Sequence, residues 1–284
     1  MKKNFLKATA LAALLFALPA SAQHAHHGGG PKSIKAPVWT AYPILIAGGG
    51  YSRTGTQIHP FNLHAMVGTS YASFYGQGKD ALAQATNDLK VDQDGTVRVK
   101  SGKQGGYYLV QVFGHGPQGE ETTASAFKYF SNPGPAPRNL LAAVRPGFEI
   151  VPNILPREHA HYREGETWNF RVRGNGEAVP YAKVVMETSN GTQRTFTGDA
   201  NGLVAVTFPT DFIDIPKDQW RHGRPPASKF VLAVRHEGLL ATFNGGYRLG
   251  AYGDKDLMAG IGFAVVGMAV AAPIVFRRKK KKGG

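Results

Sequence analysis

The sequence predicts an all-β protein in which two tandem β-sandwich domains are followed by one C-terminal transmembrane helix. Short runs of β-branched and aromatic residues recur between glycine, proline and asparagine positions, as in strands joined by turns. A proline-rich segment, residues 134–146, separates these runs into two groups and is predicted to be a linker. The segment 257–276 is apolar and contains no charged residue.

The first sandwich domain is predicted over residues 37–133. In TVRVK (96–100) and YYLVQVF (107–113), β-branched and aromatic residues occupy every second position, which indicates strands. Segment 78–90 (GKDALAQATNDLK) has a different pattern and predicts one short helix. Its apolar residues recur at roughly helical spacing, at Ala81, Leu82, Ala85 and Leu89.

The second sandwich domain is predicted over residues 147–250. Trp168, Phe170 and Val172 alternate with polar residues, as in a strand with one buried and one hydrated face. Seven runs of strand length follow one another: FEIVP, TWNFRVRG, AVPYAKVVMET, TQRTFTG, GLVAVTFP, KFVLAVRHE and LLATFNGGYRL. This number of short alternating strands predicts an antiparallel sandwich of the immunoglobulin-like kind, and we expect the same fold for the first domain.

Three segments of the second domain predict hairpin turns. Asn175-Gly176 and Asn190-Gly191 supply residues that tolerate positive φ, and residues 199–202 (DANG) do the same. Asp199 and Asn201 also resemble the start of a calcium loop, but Pro209 and Thr210 occupy the positions where a closing acidic ligand would stand. We therefore interpret DANG as a turn.

The positive charge of the chain lies mainly at its two ends. The formal net charge is +14, yet all 19 Asp and Glu residues lie between Asp80 and Asp256. Three Lys residues lie within the first seven positions, and six Lys and Arg residues lie within the last eight. The body is nearly balanced, and no basic patch with interleaved aromatic residues remains in it, which argues against a nucleic-acid partner.

The two ends have the pattern of export and anchoring signals. Residues 1–22 combine a basic start, a short apolar run and a small-x-small site at Ala20-Ser21-Ala22, which predicts a secretory signal peptide rather than an uncleaved anchoring helix. Residues 23–36 form a His- and Gly-rich flexible leader. Residues 257–276 are long enough to span a bilayer, and the basic tail 277–284 predicts a cytoplasmic C-terminus. The expected location is the inner membrane, with the body in the periplasm.

The second domain also resembles a known family of exported bacterial proteins. The segments GFEIVPNILP, REGETWNFRVRGNGEAVPYAKV, TFTGDANGLVAVTFP and KFVLAVRHEGLLATFNGGYRL are similar to the C-terminal sandwich of the NikM-like proteins. This family has no assigned function and was formerly regarded as a nickel-transport subunit, and GDANG also occurs in carboxypeptidase-regulatory-like modules. The resemblance implies a periplasmic accessory domain linked to metal uptake, and it supplies no catalytic motif.

Histidines are the candidate metal ligands. His24, His26 and His27 form the densest cluster, and neutral imidazoles suit Ni, Co or Cu. In Glu158-His159-Ala160-His161, an extended backbone would project His159 and His161 to the same face, where they could share one ion. The alternative interpretation is a solvated leader and a polar surface loop. The other histidines, His59, His64, His115, His222 and His236, are expected to be packed or hydrogen-bonded.

The sequence leaves two classes of function open and argues against a third. The first is an accessory protein that captures a transition metal and presents it to a transporter. The second is a structural or protein-interaction module without a metal role. Enzymatic activity is not expected, because the chain has no cysteine and no GxSxG, HExxH or Walker-type motif.

The transmembrane segment carries a candidate packing face. Gly260, Ala264, Gly267 and Ala271 recur at spacings of four, three and four, so an ideal helix places them on one stripe. Small residues let helix backbones approach closely in lipid, so the stripe could pack against a transporter helix or a second copy. The alternative is that the helix is an anchor only.

Overall fold

A computed structural model describes residues 39–48, 58–76, 86–100, 106–130, 137–156, 161–212, 215, 218, 220 and 224–250. Strands are the main element of these residues, and the one α-helix described among them has five residues, which confirms the all-β prediction. The predicted transmembrane segment 257–276 lies outside them. Within the described ranges, no helix combines the length and the apolar character that a membrane span needs.

Seven strands precede the proline-rich segment and nine follow it among the described residues. The first group comprises β1 (Ile44–Ala47), β2 (Ile58–His64), β3 (Val67–Tyr75), β4 (Thr86–Lys90), β5 (Thr96–Lys100), β6 (Gly106–His115) and β7 (Glu121–Phe130). A short helix, α1 (Arg138–Ala142), comes next. The second group comprises β8 (Phe148–Pro152), β9 (Tyr162–Arg163), β10 (Thr167–Gly174), β11 (Glu177–Ala178), β12 (Lys183–Thr188), β13 (Gln193–Thr197), β14 (Leu203–Thr207), β15 (Ala227–His236) and β16 (Leu239–Arg248).

Each group of strands builds a sandwich with the same topology. In the first half, β1, β2 and β5 form one sheet, and β4, β3, β6 and β7 form the facing strands in that order. In the second half, β8, β10, β14 and the two-residue β11 form one sheet, and β13, β12, β15 and β16 face it. Apart from β11, three strands face four in each half, and this connection order defines an immunoglobulin-like sandwich. All seven runs predicted for the second half form strands.

The two sandwiches share one sheet, which the sequence did not predict. Strand β16 pairs in parallel with β7, from Leu239 opposite Glu121 to Asn244 opposite Ala126. The four-stranded sheets of both halves thereby join edge to edge into one continuous sheet. Among the described residues, the two sandwiches are therefore not independent, because the backbones of β7 and β16 are paired. The predicted boundary at 134–146 stays a prediction.

The two hydrophobic cores lie on opposite faces of the shared sheet. Ala124 and Ala126 of β7 belong to the first core, whereas Ala241 and Phe243 of β16 belong to the second. Ala124 pairs with Thr242, so the side chains of these two residues lie on the same face of the sheet. Because side chains alternate along a strand, the even-numbered residues of β16 lie on the face that carries the first core. The sheet of β1, β2 and β5 therefore packs on one face of the shared sheet, and the sheet of β8, β10 and β14 packs on the other face.

Residues at the start of the first half cover the outer face of the second half. The Asn244 amide accepts a hydrogen bond from the Leu45 backbone N–H at 2.9 Å and donates one to the Leu45 carbonyl at 2.8 Å. The Thr242 hydroxyl donates to the Pro43 carbonyl at 2.6 Å. These bonds satisfy polar groups of β16 and β1 that the shared sheet has removed from water.

A buried charge cluster fixes the start of the second half on the outer face of the first. Glu149 of β8 is 2% exposed, and its two carboxylate oxygens accept hydrogen bonds from Arg145 Nε at 2.9 Å and Arg173 Nε at 2.6 Å. Gln111 of β6 donates to the same carboxylate at 3.0 Å. Arg145 and Arg173 also donate to backbone carbonyls of residues 140–143, and Leu140 of α1 packs on Leu109.

Two of the three predicted hairpin turns are confirmed, and the third is wrong. Asn175 and Gly176 both adopt positive φ between β10 and β11, and Gly191 does so between β12 and β13. The DANG segment instead carries the chain from one sheet to the other, because β13 pairs with β12 while β14 pairs with β10. The Asp199 carboxylate accepts from the backbone N–H groups of Asn201 and Leu203, which stabilises this bend.

The helix predicted from segment 78–90 is wrong in its second part. Residues 86–90 form β4, an edge strand that pairs with β3. The first part of the segment lies outside the described residues. A helix of so few residues has few internal hydrogen bonds and is only marginally stable. Pairing with β3 supplies hydrogen bonds to the backbone of residues 86–90, and it outweighs their weak helical pattern.

Glu149→Gln is expected to lower the free energy of unfolding by about 3–5 kcal/mol, because it leaves two buried guanidinium groups without their carboxylate. Urea denaturation followed by tryptophan fluorescence measures the change. Glu177→Gln is the control, since Glu177 is exposed on β11. A loss for Glu149→Gln that matches the control would show that the charge cluster does not hold the two halves together.

Candidate functional site

A cleft opens where the two paired central strands separate. The β7–β16 ladder ends at Ala126 and Asn244, although both strands continue for four more residues. Strand β9 then pairs in parallel with the end of β16, at Tyr247 and Arg248. The space left between β7 and β16 is a cleft of about 570 Å³.

Eight aromatic side chains line this cleft. They come from both halves of the protein: Trp39, Phe61, Tyr107, Phe127, Tyr129, Tyr162, Phe230 and Phe243. On β16, Gly245 and Gly246 contribute backbone only. A Cβ atom at Gly245 would lie 3.0 Å from the ring of Phe230, so glycine lets that ring pack against the strand. A volume of this size and an aromatic wall are typical of small-ligand sites.

The charged groups that line the cleft are all basic among the described residues. Lys128 of β7 is half-buried, Lys229 of β15 is exposed, and His161 lies just before β9. No Asp or Glu is present among the described lining residues. Burial lowers the pKa of Lys128 from its ordinary value, and no ion pair between described residues involves it. The described wall therefore favours an anion over a cation.

Two hydrogen-bond donors on the wall have no acceptor. The Tyr162 hydroxyl and the Trp39 indole N–H are both inaccessible to solvent and make no hydrogen bond within the described part of the chain. Tyr162 is 6% exposed, and its ring packs among Trp168, Phe208 and Phe230. Burial, together with the nearby Tyr107, raises the pKa of Tyr162, so the hydroxyl keeps its proton and remains a donor.

His59 lies in the first core close to Lys128. Its ring contacts Phe61 and Phe130 edge-on, at centroid distances of 5.4 and 6.1 Å. Burial and, second, the Lys128 ammonium lower the pKa of His59 to about 4. The imidazole is therefore neutral at pH 7, as expected for a packed histidine. His115 differs from that expectation, since it is exposed, whereas the exposed His236 lies with its ring 5.9 Å from that of Phe148.

The predicted metal ligands are only partly within the described residues. His24, His26, His27 and His159 lie outside them, and His161 lies on the cleft. The proposed sharing of one ion by His159 and His161 therefore stays a prediction. Among the residues that the structure describes, no three His, Cys, Asp or Glu side chains are grouped to hold a metal ion.

Sequence reasoning identified one residue of the cleft, His161, and missed the cleft itself. The lining residues come from strands far apart in sequence, and they meet only because β7 and β16 pair in parallel. One local signal was present. The Gly245-Gly246 pair interrupts an otherwise regular strand pattern, and such glycines mark places where another group approaches the backbone closely.

No family model and no curated protein matches the chain. Solved structures similar to it include a tetra-tandem repeat from the extending region of a large adhesion protein, with 11% identity and a TM-score of 0.25. A 1.5-MDa bacterial ice-binding adhesin has 14% identity and a TM-score of 0.24. The match covers 74% and 73% of this chain but only 50% and 65% of those two.

The N-terminal four immunoglobulin domains of Dscam1 isoform 6.9 are also similar, with 11% identity and a TM-score of 0.21. That match covers 73% of this chain and 51% of the Dscam1 chain. At such low TM-scores, the assignment of this chain to the immunoglobulin-like class rests on its own strand topology. The protein defined by that topology is a double sandwich with one shared sheet and a basic aromatic cleft.

Proposed function

We propose that this chain is a non-catalytic binding module, held at the periplasmic face of the inner membrane, whose ligand site is the cleft between β7 and β16. The cleft is the observation that carries the proposal, because residues of both sandwiches line one concave surface that is rich in aromatic side chains and carries Lys128 and Lys229. The shared sheet and the buried Glu149 cluster support a rigid arrangement of its walls.

Site-specific photo-crosslinking tests the cleft as the binding site. A benzophenone amino acid at Lys229, which is exposed and lines the cleft, is expected to give a discrete adduct in cells. The same amino acid at Lys183, exposed on β12 outside the cleft, is the matched control. Mass spectrometry of the purified protein reads the adducts. Equal products at both positions, or none at either, would contradict the proposal.

The proposed location depends on residues outside the described part of the chain. The signal peptide 1–22, the span 257–276 and the basic tail 277–284 support export followed by retention in the inner membrane. In this arrangement the stripe of Gly260, Ala264, Gly267 and Ala271 packs against a helix of a partner, such as a transporter.

Deletion of residues 257–284 is expected to release the folded body into the periplasm, because the uncharged span is then lost. Cell fractionation with a carbonate wash measures this, and the full chain in the same cells is the control. Recovery of the truncated protein in the washed membrane fraction would show that another part of the chain anchors it.

A second candidate function is the capture of a transition metal. The His-rich leader and the resemblance to the NikM-like proteins support it. The basic lining of the cleft does not favour a cation beside His161, so we assign the metal affinity to His24, His26 and His27. Metal presentation to a transporter and ligand binding in the cleft are compatible, because they use different parts of the chain.

Replacing His24, His26 and His27 together by Ala is expected to weaken Ni or Cu binding at least tenfold, about 1.4 kcal/mol. Calorimetric titration of residues 23–256 measures it, and a His115→Ala, His236→Ala variant removes two exposed histidines as a control. A site at His159 and His161 would instead respond only to their substitution. If chelator-treated wild-type protein shows no saturable binding, the metal role is wrong.

A further inference from the structure

The described walls of the cleft combine two properties that point to one chemical class of ligand. The interior is aromatic, so it gains free energy from the burial of an apolar group. The charged groups are a half-buried ammonium on Lys128 and an exposed one on Lys229. A ligand that satisfies both must be apolar at one end and a hydrogen-bond acceptor with negative charge at the other.

From this arrangement we infer that the cleft binds a small amphipathic carboxylate, such as a medium-chain fatty acid or an aryl-alkanoic acid. The inference rests on the proposed function and specifies its ligand. The apolar part of the ligand lies against the aromatic wall, and the carboxylate accepts hydrogen bonds from the donors of the cleft. A cavity of about 570 Å³ is large enough for a ligand of this size.

Charge is the argument against other small ligands. A neutral alcohol would leave the half-buried Lys128 without a counter-ion, and an ammonium amphiphile would add a like charge beside it. A carboxylate offsets the desolvation that lowers the pKa of Lys128 and accepts a charge-assisted hydrogen bond.

The full chain in its membrane can be tested with a photoreactive carboxylate. A decanoate that carries a diazirine is irradiated with the protein, and the labelled peptides are identified by mass spectrometry. We expect labels on the segments that form the cleft, around 126–130, 161–162 and 243–246. Unlabelled decanoate is expected to suppress these labels, and the diazirine analogue of decanol is expected to give at least fivefold less of them.

Substitutions connect the labels to individual groups. Lys128→Met keeps the length of the side chain but removes its charge, and is expected to reduce cleft labelling at least fivefold. Tyr162→Phe keeps the buried ring, removes a hydroxyl that solvent does not reach, and is expected to leave labelling unchanged. Lys183→Met, exposed on β12, is the control and should label like the wild type. Circular dichroism confirms that each variant is folded.

Competition identifies the apolar end of the ligand. Suppression by decanoate but not by phenylpropanoate assigns an alkyl chain, and the reverse assigns an aryl group. Equal labelling by the decanoate and decanol probes, or unchanged labelling in Lys128→Met, would overturn the carboxylate inference. If the benzophenone at Lys229 still gives its discrete adduct in that case, the cleft binds a ligand of another class, such as an extended peptide, and the proposed function stands.

Discussion

The parallel pairing of β7 with β16 is the interaction on which the rest of the structure depends. Antiparallel hairpins build each sandwich, but this ladder alone joins the two four-stranded sheets among the described residues. Because the equivalent strands of the two halves run in the same direction, side-chain alternation places the two cores on opposite faces. The sheet is therefore covered on both sides near its centre, and polar residues such as Ser125 and Thr242 are buried there with hydrogen bonds to backbone carbonyls.

The buried Arg145–Glu149–Arg173 cluster follows from that geometry. Helix α1 and the start of β8 lie on the outer face of the first half, where Leu140 packs on Leu109 and Gln111 donates to Glu149. A buried ion pair is weak evidence for stability, since hydrophobic residues can replace it at little cost. Its guanidinium groups also bind the carbonyls of residues 140–143, however, so it fixes the path of the connection more than it adds free energy. We therefore interpret the cluster as a feature that selects one path of this connection over alternative paths.

The sequence predicts the strands of the second half well and the joining of the halves not at all. FEIVP to LLATFNGGYRL were identifiable because apolar residues alternate between turn residues, a local property of each segment. The β7–β16 ladder has no such signal, because strand partners more than a hundred residues apart are set by tertiary packing. Glu149 was not identified as buried, since a charged residue in a strand is usually exposed. The role of DANG was missed because its turn geometry is the same whether a chain stays in one sheet or changes sheets.

The cleft is a consequence of the same ladder, at the point where it ends. Where twisted parallel strands separate, their backbone N–H and C=O groups need new hydrogen-bond partners. β9 pairs with the last residues of β16 and supplies these partners there. Two residues of β16 and four of β7 remain beside the gap, and aromatic side chains from both sandwiches converge on it. Since its walls belong to both halves, any shift between the sandwiches would change its shape. A ligand site at this position therefore requires the connection that the shared sheet and the Glu149 cluster provide. The β7–β16 ladder is thus the common physical cause of the fold and of the proposed binding role.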